Sequence, residues 1–287
     1  MANGVRLYHE QHGSPADPAV LLLVGLGGQL HYWPPELVER LAGAGFQVVL
    51  MDNRDAGYSE KLSGRKSFLR EVVEARITGG PLPEVPYLLS DMAADAAGLL
   101  SALDVRQAHL IGVSMGGMIA QTMAARFPDR VRTLTSIMST TGSPDVGQAT
   151  PEMQTALFTP PPPDRESAIL MTIEHCRISW ADHFDEERAR QTAEESYDRG
   201  VYPEGTGRQL AAILASGDRS EEVRTIDAPT LVIHGEKDPL VHVSGGVATA
   251  EAIAGAELLI LPGAGHDVPP AHQSMVLDRI LEHLRSA

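Results

Sequence analysis

The pentapeptide Gly112-Val113-Ser114-Met115-Gly116 decides the fold of this chain. An apolar run at residues 108–113 leads into the serine, and a helix-like run at residues 116–127 follows it. The serine therefore lies where a buried strand turns sharply into a helix, which strains its backbone and points its hydroxyl away from the sheet. Strand and helix pass close together two positions before and two positions after the serine. We therefore expect that only a very small residue fits at positions 112 and 116.

Other apolar runs predict further strands that are buried on both faces. They lack the alternation of a half-exposed strand and lie at residues 20–24, 46–51, 132–138, 230–234 and 257–261. Helical patterns occur at residues 34–44, 86–103 and 272–284. Strands that alternate with helices predict an α/β fold with a doubly wound, mostly parallel sheet. Active sites of such sheets lie at the carboxyl ends of the strands.

Two segments, residues 60–86 and residues 140–225, interrupt this alternation and contribute no predicted strand. The longer segment contains a run of four prolines at residues 160–163 and then becomes helical and charged. We expect a core made of residues 1–139 and 226–287, with residues 140–225 inserted between two strands as a helical cap.

The composition argues against several classes of partner. A formal charge of −15 disfavours nucleic acid and stable membrane association, because both need clustered lysines and arginines. Cys176 is the only cysteine, so neither an internal disulfide nor a cysteine metal cluster can form. The first ten residues lack the apolar core of a signal peptide. We therefore expect a cytoplasmic protein, for which a homodimer remains compatible with the sequence.

A serine hydroxyl becomes a good nucleophile when an imidazole takes its proton and a carboxylate orients that imidazole. Asp238 follows the predicted strand at 230–234, and His266 follows the last predicted strand. Both therefore emerge at the same edge of the sheet as Ser114, in the chain order Ser, Asp, His. Asp145, which follows an earlier strand, is the main alternative for the acid.

Five segments together resemble the α/β-hydrolase fold superfamily along nearly the whole chain. They are the loop at 24–28, the segment at 52–59, the serine turn at 112–116, the loop at 235–238 and the pair Gly265-His266. The segment at 52–59 is similar to the pattern D-x-R-G-x-G-x-S of that superfamily, from which Asp55 and Ala56 depart. Within the superfamily, the pattern looks closest to small-ester hydrolases such as the polyketide methylesterases.

This resemblance implies a serine carboxylesterase (EC 3.1.1 type) that hydrolyses small esters through an acyl-enzyme, without a metal or organic cofactor. It also implies that the backbone N–H groups of Leu26 and Met115 hold the developing oxyanion. Many relatives carry His-Gly where this chain has Val24-Gly25, so a side chain that would brace this loop is missing. The predicted lining of the substrate pocket comprises Gly27, Trp33, Met138 and Trp180.

Several alternatives remain open from the sequence. The same three residues could serve a thioesterase, a lactonase, a C–C hydrolase or a cofactor-free perhydrolase. A non-enzymatic receptor on the same fold is more distant, since no member of the triad is missing. Dehalogenases and epoxide hydrolases carry Asp where Ser114 lies. A dinucleotide site at residues 25–30 would need glycine at position 30, where Leu30 stands.

Overall fold

The computed structural model describes residues 1–286 of the chain. Its strands are β1 (His9–His12), β2 (Ala19–Leu23), β3 (Gln47–Met51), β4 (Ala108–Val113), β5 (Val131–Ile137), β6 (Thr230–Gly235) and β7 (Glu257–Leu261). They form a seven-stranded sheet in the order β1-β3-β2-β4-β5-β6-β7. All pairings are parallel except that of β1 with β3. The predicted doubly wound, mostly parallel α/β sheet is thus confirmed.

The described residues form eleven α-helices, some of which cover the two faces of the sheet. They are α1 (Pro35–Gly43), α2 (Leu69–Thr78), α3 (Leu89–Ala102), α4 (Met115–Arg126), α5 (Pro151–Phe158), α6 (Arg165–Ser179), α7 (Glu186–Gly200), α8 (Pro203–Ser216), α9 (Ser220–Val223), α10 (Ser244–Ala252) and α11 (Pro270–Arg285). One apolar cluster packs α3 and α4 against one face, and a second packs α1 and α11 against the other. Strands covered on both sides can be apolar throughout, which explains their continuous apolar runs.

Besides α2, which lies within residues 60–86, the sequence missed two regular elements. Strand β1 is polar and partly exposed, and it pairs antiparallel at the edge of the sheet, so it lacks the apolar run that marked the buried strands. Helix α10 is rich in glycine and alanine and has almost no amphipathic pattern, although it packs on β6 and β7. Tertiary packing determines both elements more than their local sequence does.

Five helices, α5 to α9, occupy the chain between β5 and β6. Helices α6 and α7 enclose an apolar cluster of their own that includes Ile169, Trp180 and Ala193. Residues 140–225 accordingly fold as helices, while their division from the core as a cap stays a prediction. None of the helices within residues 1–286 combines the length and the apolar character needed to cross a bilayer.

Candidate active site

Ser114 sits at the strained turn between β4 and α4, with φ of 55° and ψ of −121°. A Cβ atom at Gly112 would lie 2.2 Å from the carbonyl oxygen of Gly116, and one at Gly116 would lie 2.1 Å from that of Leu23. Only glycine fits such distances, as the sequence predicted. The N–H of Ser114 donates a hydrogen bond of 2.8 Å to the carbonyl of Ile137, which ties the turn to β5.

Asp238 is a buried carboxylate with both oxygens engaged. Its Oδ1 accepts hydrogen bonds of 2.9 Å from the N–H groups of Leu240 and Val241. Its Oδ2 lies 2.6 Å from Nδ1 of His266. Burial alone would raise the pKa of Asp238, but the imidazoles of His266 and His234 outweigh it and hold the pKa well below its usual range. The carboxylate therefore stays ionised and can orient an imidazole and stabilise its charged form.

The loop that carries His266 is joined to the loop that carries Asp238. The N–H of Lys237 donates to the carbonyl of Ala264 at 2.8 Å, and a Cβ at Gly235 would lie 2.0 Å from the carbonyl of Gly265. Strand β7 lies three strands from β4, a spacing of about 14 Å, so this loop has to bring the imidazole back across the sheet edge. The backbone N–H of His266 donates a 2.6 Å hydrogen bond to the carbonyl of Ser179 at the end of α6.

The structure brings His266 and Asp238 together and places Ser114 at the same edge of the sheet. Among residues 1–286, no hydrogen bond joins Ser114 Oγ to His266. Asp145 is exposed, and within residues 1–286 its one hydrogen bond runs from its own N–H to the hydroxyl of Ser143. The acid that contacts His266 is therefore Asp238 and not Asp145.

The loop at 24–28 passes directly beside Ser114. A Cβ at Gly25 would lie 3.2 Å from Cβ of Ser114, and the N–H of Gly28 closes a turn onto the carbonyl of Gly25 at 3.1 Å. Within the described part of the chain, the N–H groups of Leu26 and Met115 donate no hydrogen bond, the latter because it opens α4. Both N–H groups are therefore free to donate to an acceptor oxygen beside Ser114.

A cavity of about 310 Å³ opens between the core and α7. Trp33 and Trp180, two of the predicted pocket residues, line it. Its lining also includes Val113 and Asp267, which are the chain neighbours of Ser114 and His266. The other two predicted pocket residues lie elsewhere: Gly27 is covered by Thr206 of α8, and Met138 is buried in the apolar cluster around α1 and α11.

Sequence reasoning missed two residues that contact this site. His234 is fully buried, with Nε2 2.7 Å from the carbonyl of Val241 and 3.4 Å from Oδ2 of Asp238. Its position four residues before Asp238, at the end of β6, could have suggested the contact. Gln209 binds the N–H of Gly27 from 182 residues away, and no spacing in the sequence marks it.

Histidine, cysteine, aspartate and glutamate side chains of residues 1–286 form no group of three or more placed to hold a metal ion. The side chains gathered at the sheet edge are instead those of acid–base and nucleophilic chemistry.

A serine at a strand-to-helix turn, a histidine–aspartate pair and a glycine-rich loop beside the serine define an α/β hydrolase. The chain matches the α/β hydrolase fold family over residues 18–270 and belongs to that family. It is 28% identical to the rhodomycin D methylesterase DnrP of Streptomyces peucetius over 307 residues, which cover 99% of this chain and 96% of that protein.

Solved structures agree with this fold. The enol-lactonase from Burkholderia xenovorans LB400 is 25% identical, with a TM-score of 0.75 and coverage of 99% of this chain and 98% of that one. The meta-cleavage product hydrolase from Pseudomonas fluorescens IP01 has a TM-score of 0.78 and covers 99% and 96% of the two chains. At 20% identity it supports the fold alone. Together with the methylesterase, the lactonase supports a hydrolase activity for this chain.

Proposed function

We propose that this protein is a serine carboxylesterase in which Ser114, His266 and Asp238 form the catalytic triad. The observation that carries the proposal is the 2.6 Å contact between His266 Nδ1 and the buried carboxylate of Asp238, at the sheet edge where Ser114 occupies the strained turn. A carboxylate on Nδ1 leaves Nε2 as the basic nitrogen, which is the atom that must face the serine.

In the proposed reaction, Ser114 Oγ attacks the ester carbonyl and its proton passes to Nε2 of His266. The carbonyl oxygen becomes an oxyanion and accepts hydrogen bonds from the N–H groups of Leu26 and Met115, each worth about 3 kcal/mol. His266 then gives its proton to the leaving alcohol, and the acyl group remains on Ser114. Water deprotonated by His266 attacks this acyl-enzyme, releases the acid and restores the serine. In this mechanism the Ser114–His266 hydrogen bond forms when substrate binds. Catalytic hydrogen bonds are often long in a free enzyme and shorten only in its complex with substrate.

The cavity lined by Val113 and Asp267, the chain neighbours of Ser114 and His266, is proposed to hold the acid or alcohol part of the ester. Its volume of about 310 Å³ is near the lower end of small-molecule sites, which span about 300–1,000 Å³. Val113, Ile137 and Leu277 make its inner wall apolar. The guanidinium of Arg188 in the lining is neutralised by the carboxylate of Asp267 at 2.7 Å. Two further acidic side chains, Glu36 and Glu195, also line the cavity. An uncharged, mainly apolar group suits this lining better than an anionic one.

The test is Ser114→Ala measured on p-nitrophenyl esters. We expect kcat to fall at least about a thousandfold, because the nucleophile is lost while the fold remains. Circular dichroism and the thermal midpoint establish that the variant is folded. A folded Ser114→Ala protein with full activity would refute the triad.

A substrate panel separates the esterase from its alternatives. We expect p-nitrophenyl esters to turn over, with KM falling from acetate to hexanoate as the acyl chain enters the cavity. Thioester, lactone and C–C substrates are assayed beside them. Turnover of a thioester or lactone with simple esters inert would replace the carboxylesterase by that activity.

A further inference from the structure

The loop that is proposed to hold the oxyanion is intrinsically soft. Three of its four residues at 25–28 are glycines, and Gly27 adopts φ of +64°. Glycine visits many backbone conformations, so such a loop does not fix its own N–H directions. Val24 stands where many relatives have a histidine, and its side chain can form no hydrogen bond to the loop. Some other group has to hold these peptides if they are to stabilise an oxyanion.

Gln209 of α8 provides that contact from above the loop. Its Oε1 accepts a hydrogen bond of 2.8 Å from the N–H of Gly27, and its Nε2 donates one of 2.7 Å to the carbonyl of Arg54. The side chain is fully buried, so water does not compete for either bond. One partner is a donor and the other an acceptor, which fixes the orientation of the amide. Gln209 thus joins the loop after β2 to the loop after β3.

The Gly27 hydrogen bond acts on the adjacent Leu26 donor through the backbone. Holding the N–H of Gly27 fixes the plane of the peptide between Leu26 and Gly27. The turn bond from Gly28 to the carbonyl of Gly25 fixes the other side of Leu26. Below the loop, Asn53 Nδ2 donates to the carbonyl of Val24 at 3.1 Å. The N–H of Leu26 belongs to the peptide that the Gly28 bond holds, and Gln209 holds the next peptide. The backbone on both sides of the Leu26 Cα is therefore fixed before any substrate arrives.

The position of Gln209 is itself fixed by its neighbours on α8. Arg208 donates two hydrogen bonds of 2.8 Å to the two carboxylate oxygens of Asp55. A Cβ at Gly205 would lie 2.3 Å from the carbonyl of Asp55, so the helix rests directly on this loop. Asp55 is one of the two departures from the superfamily pattern, and it anchors the helix that carries Gln209.

We propose that Gln209 is a positioning residue of the reaction, which preorganises the Leu26 N–H for the oxyanion through its hydrogen bond to Gly27. This inference rests on the proposed esterase function. If so, helix α8, which lies between β5 and β6, contributes to catalysis, because its Gln209 holds the loop that carries the Leu26 donor. The effect belongs to the transition state, since the oxyanion forms only there.

The test compares Gln209→Met with a matched control, Gln121→Met. Methionine fills nearly the same volume but removes both hydrogen bonds. Gln121 is also fully buried and makes two side-chain hydrogen bonds of 3.0 Å, to Ser136 and from Arg219. We expect Gln209→Met to lower kcat by about tenfold to a hundredfold with KM changed less than about threefold. Gln121→Met should lose similar thermal stability and keep kcat within about twofold.

A second readout reports on the oxyanion donors directly. Phenylboronic acid adds reversibly to an active-site serine and leaves a tetrahedral anionic boronate, so its affinity follows transition-state binding. We expect its inhibition constant to rise with Gln209→Met by about the factor by which kcat falls, and to stay unchanged with Gln121→Met. Should Gln209→Met not fold, Gln209→Asn retains the amide but is one methylene too short to reach both loops. The same loss of kcat is expected for it.

The two proposals fail in different ways. Wild-type turnover and its loss in Ser114→Ala test the esterase. A folded Gln209→Met or Gln209→Asn protein with wild-type kcat and wild-type boronate affinity, beside an inactive Ser114→Ala protein, would overturn the role of Gln209 and leave the esterase intact.

Discussion

Asp238 shows how single residues set the chemistry of this site. Two backbone N–H groups and the imidazole of His266 surround a carboxylate that is buried from solvent. Its lowered pKa means that it stays ionised at every pH at which the protein is assayed. An ionised acceptor on Nδ1 selects the imidazole tautomer whose Nε2 can take a proton.

Replacing this carboxylate by an amide tests that role. In Asp238→Asn the amide can donate to Nδ1, which selects the wrong tautomer, and kcat should fall by about ten-thousandfold with little change in KM. Steady-state kinetics on p-nitrophenyl butyrate measure the kcat and KM of the variant. Asp145→Asn is the control, because Asp145 is exposed and does not contact His266. The reverse result, a large loss only in Asp145→Asn, would transfer the role to that residue.

Residues at strand ends could be placed from the sequence, and cross-chain contacts could not. Ser114, Asp238 and His266 each follow a recognisable apolar strand, so parallel-sheet geometry alone puts them at one edge. The predicted pairing of His266 with Asp238 is found at 2.6 Å. Gln209 follows no strand and belongs to a helix whose placement depends on tertiary contacts, so no local pattern connects it with Gly27.

Among the elements, α8 is attached to the core by buried ions. Arg208 is 2% exposed and pairs with Asp55, which also accepts hydrogen bonds from Tyr87 and from the N–H of Leu62. Burial alone would raise the pKa of Asp55, but the hydrogen bonds from these donors, that of Arg208 first, outweigh the effect of burial and lower the pKa. Asp55 has φ of +67°, a conformation in which aspartate and asparagine are among the better tolerated residues.

Removing the guanidinium should cost more than removing the whole ion pair. Arg208→Met leaves the Asp55 carboxylate buried without its cation, and we expect the free energy of unfolding to fall by about 3–5 kcal/mol. Arg208→Met combined with Asp55→Asn buries no unpaired charge and tolerates the same φ, so its loss should be smaller. Urea unfolding at pH 7 measures both. Equal losses in the single and the double variant would mean that the unpaired charge is not the cause.

Elements with apolar runs were predictable and those without them were not. The bounds of β4 agree with the predicted run at 108–113, because a strand buried on both faces has to be apolar from end to end. The bounds of β7 also agree with the predicted run at 257–261, although this edge strand is partly exposed. Helix α2 lies within residues 60–86, where no strand was predicted and only a break in the alternation was seen. Such elements are selected by the surfaces that they cover rather than by their own pattern.

At the scale of the whole molecule, acid acts on the stability of the fold. Within the folded body, His109 of β4 is buried with Nδ1 2.9 Å from the hydroxyl of Thr133. Burial, then the charges of Arg132 and His283, lowers the pKa of His109 to about 4.

The stability effect of His109 has a definite sign. In the unfolded chain an imidazole binds a proton below about pH 6.5, whereas folded His109 stays neutral down to about pH 4. Between these values the unfolded state binds more protons, so lowering the pH should reduce the free energy of unfolding, by up to about 3 kcal/mol from this residue. His109→Gln cannot bind the proton, and its urea-unfolding free energy should change less between pH 7 and pH 4.5. His12→Gln, at an exposed histidine, is the control and should keep the wild-type pH dependence. A wild-type slope in His109→Gln would place the acid sensitivity at another group of the molecule.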